Sequence, residues 1–523
     1  MKRLSRKRIL ISTIPIIVLV GLLALDVSIF GSDSILGASQ VALLTAAGVC
    51  IWLSLWLFKT PWKDFEEAIS SNIGNVTTAI VILFLIGAIS GTWTMSGVIP
   101  TLICYGVQII SPKIFLVTAC VICAVVSVMI GSSWTTIATI GVALMGIGKA
   151  LGFSEGLIAG AIISGAYFGD KISPLSDTTV LASSMNGVPL FKHIKNLLVT
   201  TVPSITLTLI IFLILGFTHQ GADADQVSVY REVLQSKFNI SPWLLLVPVF
   251  TGWLIARKNP AIIVLGLSVA VAAVAAIIAQ PHIITEIGSR ITGGSSSKVL
   301  FTGVVETIYN SVSLQTGHPE VDSLVASRGM TGMLNTVYLI ICALCFGGCM
   351  NASGMLRHLA SLLIPLSRRR TSLVAGTVAT GTVLNGIVSD QYLSIILTGN
   401  LFQGLYSKKG YAPELLSRSI EDSATVTSPL FPWSSCGMTQ ATILGVATLA
   451  YAPFCFFNWI SPLMSIFISA VGPGKSRPHS HSEACPENVT LNEVKGLEGR
   501  SEESRSFANA QDDTCGIRGF SMR

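Results

Sequence analysis

Long stretches without a single charge alternate along the chain with short polar clusters. No Asp, Glu, Lys or Arg occurs in 68–112, 114–148, 196–222, 259–285 or 423–474. About 20 apolar residues cross a bilayer as a helix, so the pattern predicts an all-α polytopic membrane protein with roughly ten to twelve crossings. The bilayer core offers the backbone no water. Such segments must therefore be helices, or irregular stretches enclosed by protein. Two ordinary hydrophobic helices are expected near 9–30 and 38–58, with a polar patch at 59–72, together making a leading segment 1–73. A dense unit follows at 74–217. A connecting segment, 218–330, carries a hydrophilic loop at 218–240, spans near 241–256 and 260–280, and a polar stretch 282–328 with a GGSSS run at 293–297. A second dense unit occupies 331–472. The last stretch, 473–523, holds 15 of the 60 charged residues without apolar periodicity and reads as a disordered polar tail.

Composition agrees with this pattern. Charged residues make up 11% and hydrophobic ones 51%, with a mean hydropathy of +0.69. A soluble domain carries about 25% charged residues, so this chain has too little polar surface to cover itself in water. The net charge of +6 does not point to nucleic acid, because the basic residues cluster at the edges of apolar runs. Five of the first eight residues are Lys or Arg, and the apolar run behind them is too long for a secretory signal. By the positive-inside rule the N-terminus is cytoplasmic, as are the edges marked by Lys192/Lys195, Arg257/Lys258 and Arg368–Arg370. Asp223, Asp225 and Glu232 suit the outer side. Cys120 and Cys123, and Cys342, Cys345 and Cys349, fall inside apolar helices with no His or carboxylate nearby. Packing explains them better than metal binding or disulfides.

The two dense units share a pattern. Gly131-Ser-Ser-Trp-Thr-Thr136 is followed 42 residues on by Ser173-Pro-Leu-Ser-Asp-Thr-Thr179, and Gly386 is followed at the same distance by Ser428-Pro-Leu430. Proline removes an amide donor and clashes with the preceding turn, so Pro174, Pro429 and Pro432 are expected to break helices within membrane depth. Duplicated, interrupted hydrophobic segments are the best pointer in a sequence to a transporter's binding site. Freed carbonyls, half-helix ends and hydroxyls can replace water around a small cation.

Asp170, Lys171 and Asp177 lie between apolar runs in the first break, and ionisable residues at such depth usually mark an ion path or proton relay. The alternative is a cytoplasmic loop with solvated charges. Lys171 either holds an aspartate in its charged form or marks the membrane edge. In the second unit Asp390 lies between apolar stretches, while Glu421 and Asp422 could instead pair with Arg418 at a helix edge. Ser132, Ser133, Thr135 and Thr136 could coordinate a cation or serve as small packing residues. Carboxylate and hydroxyl oxygens are the hard ligands that sodium prefers, and burial raises a carboxylate's pKa until proton and sodium compete for one site. The seven histidines, His193 among them, fall at edges, loops or the tail, which leaves proton carriage to acidic residues. No nucleotide-binding motif and no nucleophile–histidine–acid grouping occurs, so the pattern favours neither ATP-driven transport nor enzyme chemistry, and nothing calls for a cofactor or structural metal.

The stretches 131–148, 159–179, 389–402 and 416–437 resemble the NhaC family of sodium/proton antiporters, and the similarity extends over most of 1–472. The resemblance implies a bacterial cytoplasmic-membrane exchanger that extrudes Na+, and sometimes Li+, against inward H+. It also implies two inverted repeats with broken helices and re-entrant hairpins, and it is the sole ground for expecting a homodimer. Carried over by position, Asp170, Ser173, Ser176, Asp177, Thr178 and Thr179 would line one half-site. Asp390, Glu421, Asp422, Thr425, Ser428, Ser434 and Ser435 would line the other, with Lys171 and Arg418 modulating charge. This chain departs from the family where Val180 and Ser183 close the first break, and where Ser434 and Ser435 replace an amide and a threonine. A sodium-coupled organic acid exchanger of the malate/lactate type is the alternative.

Overall fold

The computed structural model describes residues 6–30, 37–218, 224–257, 259–292, 298–318, 321–322, 325–327, 329–360 and 369–471. The expected tail, the GGSSS run, Asp223, Lys258 and Arg368 lie outside the described residues. Among those described there is no strand beyond one isolated bridge, Val312 to Ser327. The architecture is all-helical.

Among the described residues, seven helices are long and apolar enough to cross a membrane: Leu10–Phe30, Ala38–Phe58, Pro112–Ile130, Leu190–Thr218, Ala261–Ala279, Thr331–Ala352 and Arg370–Val388. Three further helix pairs qualify together but bend by 69°, 91° and 52° at short breaks, which brings the total to ten. The 91° pair corrects the expected loop at 218–240. There Ala224–Lys237 is helical, and Val229–Lys237 forms one arm of a bent pair with Pro242–Ala256. The polar patch at 59–72 is likewise helical, in Trp62–Asn75. The stretch 282–328 contains the helices Pro281–Thr292 and Val299–Tyr309. Side-chain polarity hid these elements, because an amphipathic helix reads as polar sequence when only charge is followed.

Close helix crossings position the site. The Pro112–Ile130 helix lies against the Glu155–Ile172 helix, and glycines make their approach possible. A Cβ at Gly165 would fall 2.0 Å from the Cys120 carbonyl oxygen, and one at Gly169 would fall 2.4 Å from that of Ala124. Small residues allow this approach between helices that gain nothing from burying apolar surface away from lipid. Cys120 and Cys123 are fully buried at the same crossing.

Both dense units contain a helix that stops at a left-handed residue and restarts at once. Pro112–Ile130 ends at Gly131 (φ 75°), and Ser132 caps Ser133–Thr136. Arg370–Val388 ends at Ser389 (φ 62°), and Asp390 caps Gln391–Lys408. The conformational match is therefore Gly131 with Ser389, three residues beyond the Gly386 suggested by the spacing of the Ser-Pro-Leu tripeptides.

Candidate functional site

Asp170 sits in the last turn of the Glu155–Ile172 helix, which ends because Ser173 precedes proline and is pushed to an extended backbone (ψ 131°). The chain resumes as a helix at Asp177–Met185, with Ser176 in the N-cap position. Ser176 does not cap its own helix. Its hydroxyl donates to Asp170 Oδ1 at 2.6 Å. Asp170 Oδ2 accepts from the Ser133 hydroxyl at 2.7 Å and from the Ser133 backbone N–H at 3.2 Å. That amide is one of the donors a helix start leaves without an intrahelical partner. Ser176 also meets Thr178 at 3.0 Å. Thr179 donates to the carbonyls of Lys171 at 3.0 Å and Asp170 at 3.3 Å, and Ser173 to that of Val128 at 2.8 Å. Asp170, Ser173, Ser176, Thr178 and Thr179 are all buried. Asp177 is not. It is exposed at the first position of its helix, where a carboxylate is favoured by the helix dipole.

In the second unit the Pro413–Ile420 helix runs into a widened turn, Glu421–Thr425, and then a tight one at Ser428–Leu430. Widened turns of this kind recur at functional sites. Glu421 and Asp422 have no accessible surface and Arg418 almost none, so the alternative pairing with Arg418 is found for Asp422, but buried and not at a helix edge. Asp422 Oδ1 takes Lys171, Thr200 at 3.0 Å and Ser461 at 3.1 Å. Arg418 Nε stands 3.9 Å from Asp422 Oδ2. Neither carboxylate oxygen of Glu421 has a partner at ordinary hydrogen-bond geometry, although the Thr425 hydroxyl lies close enough to act on it. Asp390 is buried and accepts the Leu393 amide at 2.8 Å, so it serves as a helix cap. Ser434 caps Ser435–Leu444 through the Gly437 amide at 2.9 Å and donates to the Ser428 carbonyl. The Ser435 amide donates to the Ser389 carbonyl at 2.8 Å, and Ser428 donates to Gln391 Oε1 at 2.9 Å.

The two units meet at Lys171. Fully buried, it pairs with Asp422, donates to Ser461 at 2.8 Å and lies 5.6 Å from the Phe457 ring centroid. Lys171 is thus a charge partner and not a membrane-edge marker. Glu421 feels the charges of Lys171, Asp170 and Asp422, so these four form one electrostatic cluster. Tyr392 lies within electrostatic reach of Asp170, Asp177 and Asp390.

Sequence reasoning missed several of these groups. Gln391 joins Ser428 to Cys436, whose thiol lies 3.0 Å from its oxygen, and Tyr451 ties the Pro429 and Gly437 carbonyls together. Thr200 stands beside Thr201, and Ser461 opens a further Ser-Pro-Leu tripeptide, signals that a reading by charge alone passes over. His193, expected at an edge, is fully buried and meets Ser417 at 2.8 Å, while Lys192 beside it is exposed.

The described residues contain no group of three or more His, Cys, Asp or Glu placed to hold a metal ion. A family profile described as the Na+/H+ antiporter family matches residues 7–186 and 165–473. The chain is 38% identical over 419 residues to the Na(+)/H(+) antiporter NhaC of Alkalihalophilus pseudofirmus, covering 80% of this chain and 87% of that protein. It is 35% identical over 434 residues to the Na(+)/H(+) antiporter NhaC of Bacillus subtilis, covering 83% and 91%. It is also 35% identical over 440 residues to the malate-2H(+)/Na(+)-lactate antiporter of Bacillus subtilis, covering 83% and 89%.

Proposed function

This chain belongs to the Na+/H+ antiporter family, and from that premise we propose that it is a secondary active transporter that exchanges sodium for protons at the carboxylate cluster between its two broken units. The observation that carries the reading is a buried group of oxygens from both units, in which Asp170 is wrapped by hydroxyls and Glu421 has two oxygens without hydrogen bonds. Asp170 with Ser133, Ser176 and Thr178 supplies hard oxygen ligands for Na+. Glu421 is the carboxylate that alternates between proton and sodium. A buried carboxylate without hydrogen bonds is costly while charged, and either a proton or a metal cation relieves that cost. Asp422 is held by Lys171 and acts on the proton side. The two units act as inverted repeats, one rocking against the other around this cluster. Asp177, exposed, lies on the approach to it, and Asp390 orients the second break. Thr425, Ser428, Ser434 and Ser435 hold the second broken segment in shape.

We place the protein in the bacterial cytoplasmic membrane with its N-terminus inside, a reading that the exposed Lys7, Arg8, Lys192 and Lys195 support. Li+ as a second cargo and a homodimeric state follow the family alone. One observation favours the organic acid alternative. Arg418 is a buried guanidinium whose Nε and one Nη lack hydrogen bonds, and such a group can recognise a carboxylate.

Proteoliposomes settle the choice. With an imposed Na+ gradient and no organic anion, a trapped pH dye should report proton movement opposite to sodium. A strict need for malate or lactate would replace antiport with the alternative. Glu421→Gln should lower the exchange about tenfold or more while leaving the thermal midpoint nearly unchanged, because the native oxygens make no hydrogen bonds. Full exchange in that variant would remove Glu421 from the site.

A further inference from the structure

The helix Leu190–Thr218 faces Pro413–Ile420 through a row of polar contacts, with the buried Leu197 between its two ends. At its outer end Lys192, exposed, forms an ion pair with Glu414, and Asn196 Nδ2 donates to the Glu414 carbonyl at 2.7 Å. Further in, His193 Nδ1 meets the Ser417 hydroxyl at 2.8 Å. At the inner end Thr200 donates to Asp422, which holds Lys171. Positions 193, 196 and 200 recur at helical spacing, so one face of one helix carries all of these contacts. His193 has no accessible surface, and its Nε2 has no hydrogen-bond partner. Asp422 Oδ2 has none either, and His193 feels the charges of both Asp422 and Lys171.

We infer that His193 is the proton relay that connects the aqueous face beside Lys192 to the buried Lys171–Asp422 pair. The inference rests on the antiport reading and adds a residue to it. Ser417 also donates to the Glu414 carbonyl at 3.3 Å, which leaves its oxygen free to accept Nδ1–H. Nε2 then carries a lone pair. It exchanges a proton with water at the Lys192 end of the seam, and the imidazole alternates with the imidazolium. The same proton passes between Nε2 and Asp422 Oδ2 when a rearrangement of the seam brings them within reach, and the imidazole returns neutral. Asp422 becomes a carboxylic acid and Lys171 loses its counter-charge, which couples proton arrival to the cluster that binds sodium.

The surrounding charges suit this role. The helices packed against Leu190–Thr218 carry Glu414 and Arg418 on one side, and Asp170 and Lys171 on the other. Asp177 begins the Asp177–Met185 helix, Glu155 begins the Glu155–Ile172 helix, and Lys113 lies at the far end, beside Gly216. The Phe456–Val471 helix carries no titratable group. His193 is therefore the one imidazole among acidic and basic neighbours in the seam. An imidazole held only for packing would leave no such polar trail to the surface.

Two exchange modes of the full chain in proteoliposomes test the relay. Sodium/sodium exchange, followed with radioactive Na+, needs no proton, whereas sodium/proton exchange does. His193→Asn keeps a polar atom opposite Ser417 and removes the ring. It should slow sodium/proton exchange about tenfold or more at alkaline pH, where protons are scarce, and leave sodium/sodium exchange within about twofold of the parent. Equal sodium/proton rates in variant and parent would overturn the relay, as would equal losses in both modes for His193→Asn and His193→Gln. A parent protein with neither exchange mode would overturn the antiport reading itself, a separate outcome. Histidine-selective NMR gives a readout besides transport. The His193 titration midpoint should move in opposite directions in Asp422→Asn and Lys171→Met, and an unmoved midpoint in both would refute the electrical link.

Discussion

A lysine without accessible surface is costly unless its charge is answered, and at Lys171 the answer comes from a residue 251 positions away. The sequence points to Asp390, which stands alone between uncharged runs, and to Asp170, which shares its break with Lys171 and Asp177. Lys171 was ambiguous there, since nothing local separates a membrane-edge lysine from a buried one. His193 was misread for a related reason. Its neighbours Lys192 and Lys195 are exposed, whereas helical geometry turns the ring inward. Asp177, expected to line the first half-site, is exposed at a helix start. The ion pair itself gives a prediction. Removing one partner leaves an uncompensated buried charge, so Lys171→Met or Asp422→Asn alone should each cost about 3–5 kcal/mol of stability. The double variant should recover most of that loss, while its sodium/proton exchange stays lost. Thermal unfolding in detergent together with vesicle transport gives both readings. Additive destabilisation in the double variant would mean that the two charges do not rely on each other.

At the scale of elements, the breaks are where sequence and structure agree best. Pro174 forces Ser173 out of helical geometry, and the helix ends where the residue pattern expects it. The register between the two units was less legible. The shared Ser-Pro-Leu tripeptide aligned Gly131 with Gly386, whereas the backbone aligns Gly131 with Ser389, because a left-handed residue can be glycine in one unit and serine in the other. That difference is measurable. A non-glycine residue with φ near +60° costs about 1 kcal/mol, so Ser389→Gly should hold or raise the thermal midpoint. Ser389→Val, branched at Cβ, should lower stability by about 1–3 kcal/mol. Calorimetry or a dye-based melt on purified protein would show it. A valine variant as stable as the parent would mean that the turn opens at no cost. Amphipathic helices such as Trp62–Asn75 and Pro281–Thr292 were hidden in the sequence because charge alone was used to mark the ends of spans.

For the whole molecule, the membrane frame was legible because hydrophobicity is a bulk property that needs no partner. The site was half legible, because its two halves come together only through contacts such as Lys171 to Asp422 and Thr200 to Asp422. The last stretch of the chain stands apart in composition. The family match ends at residue 473, and 473–523 carries 15 of the 60 charges on a segment poor in apolar residues. Among the described residues, the contacts of the cluster at Asp170, Glu421 and Asp422 come from Ser133, Ser176, Lys171, Thr200 and Ser461. A chain ending at Lys475 should therefore insert, purify and exchange sodium for protons within about twofold of the full chain, because no group that binds, caps or pairs in the cluster is removed. Transport by the two forms in matched vesicles, normalised to inserted protein, decides it. A truncated protein that inserts normally but loses exchange would show that the tail acts on the cluster from outside the helical frame.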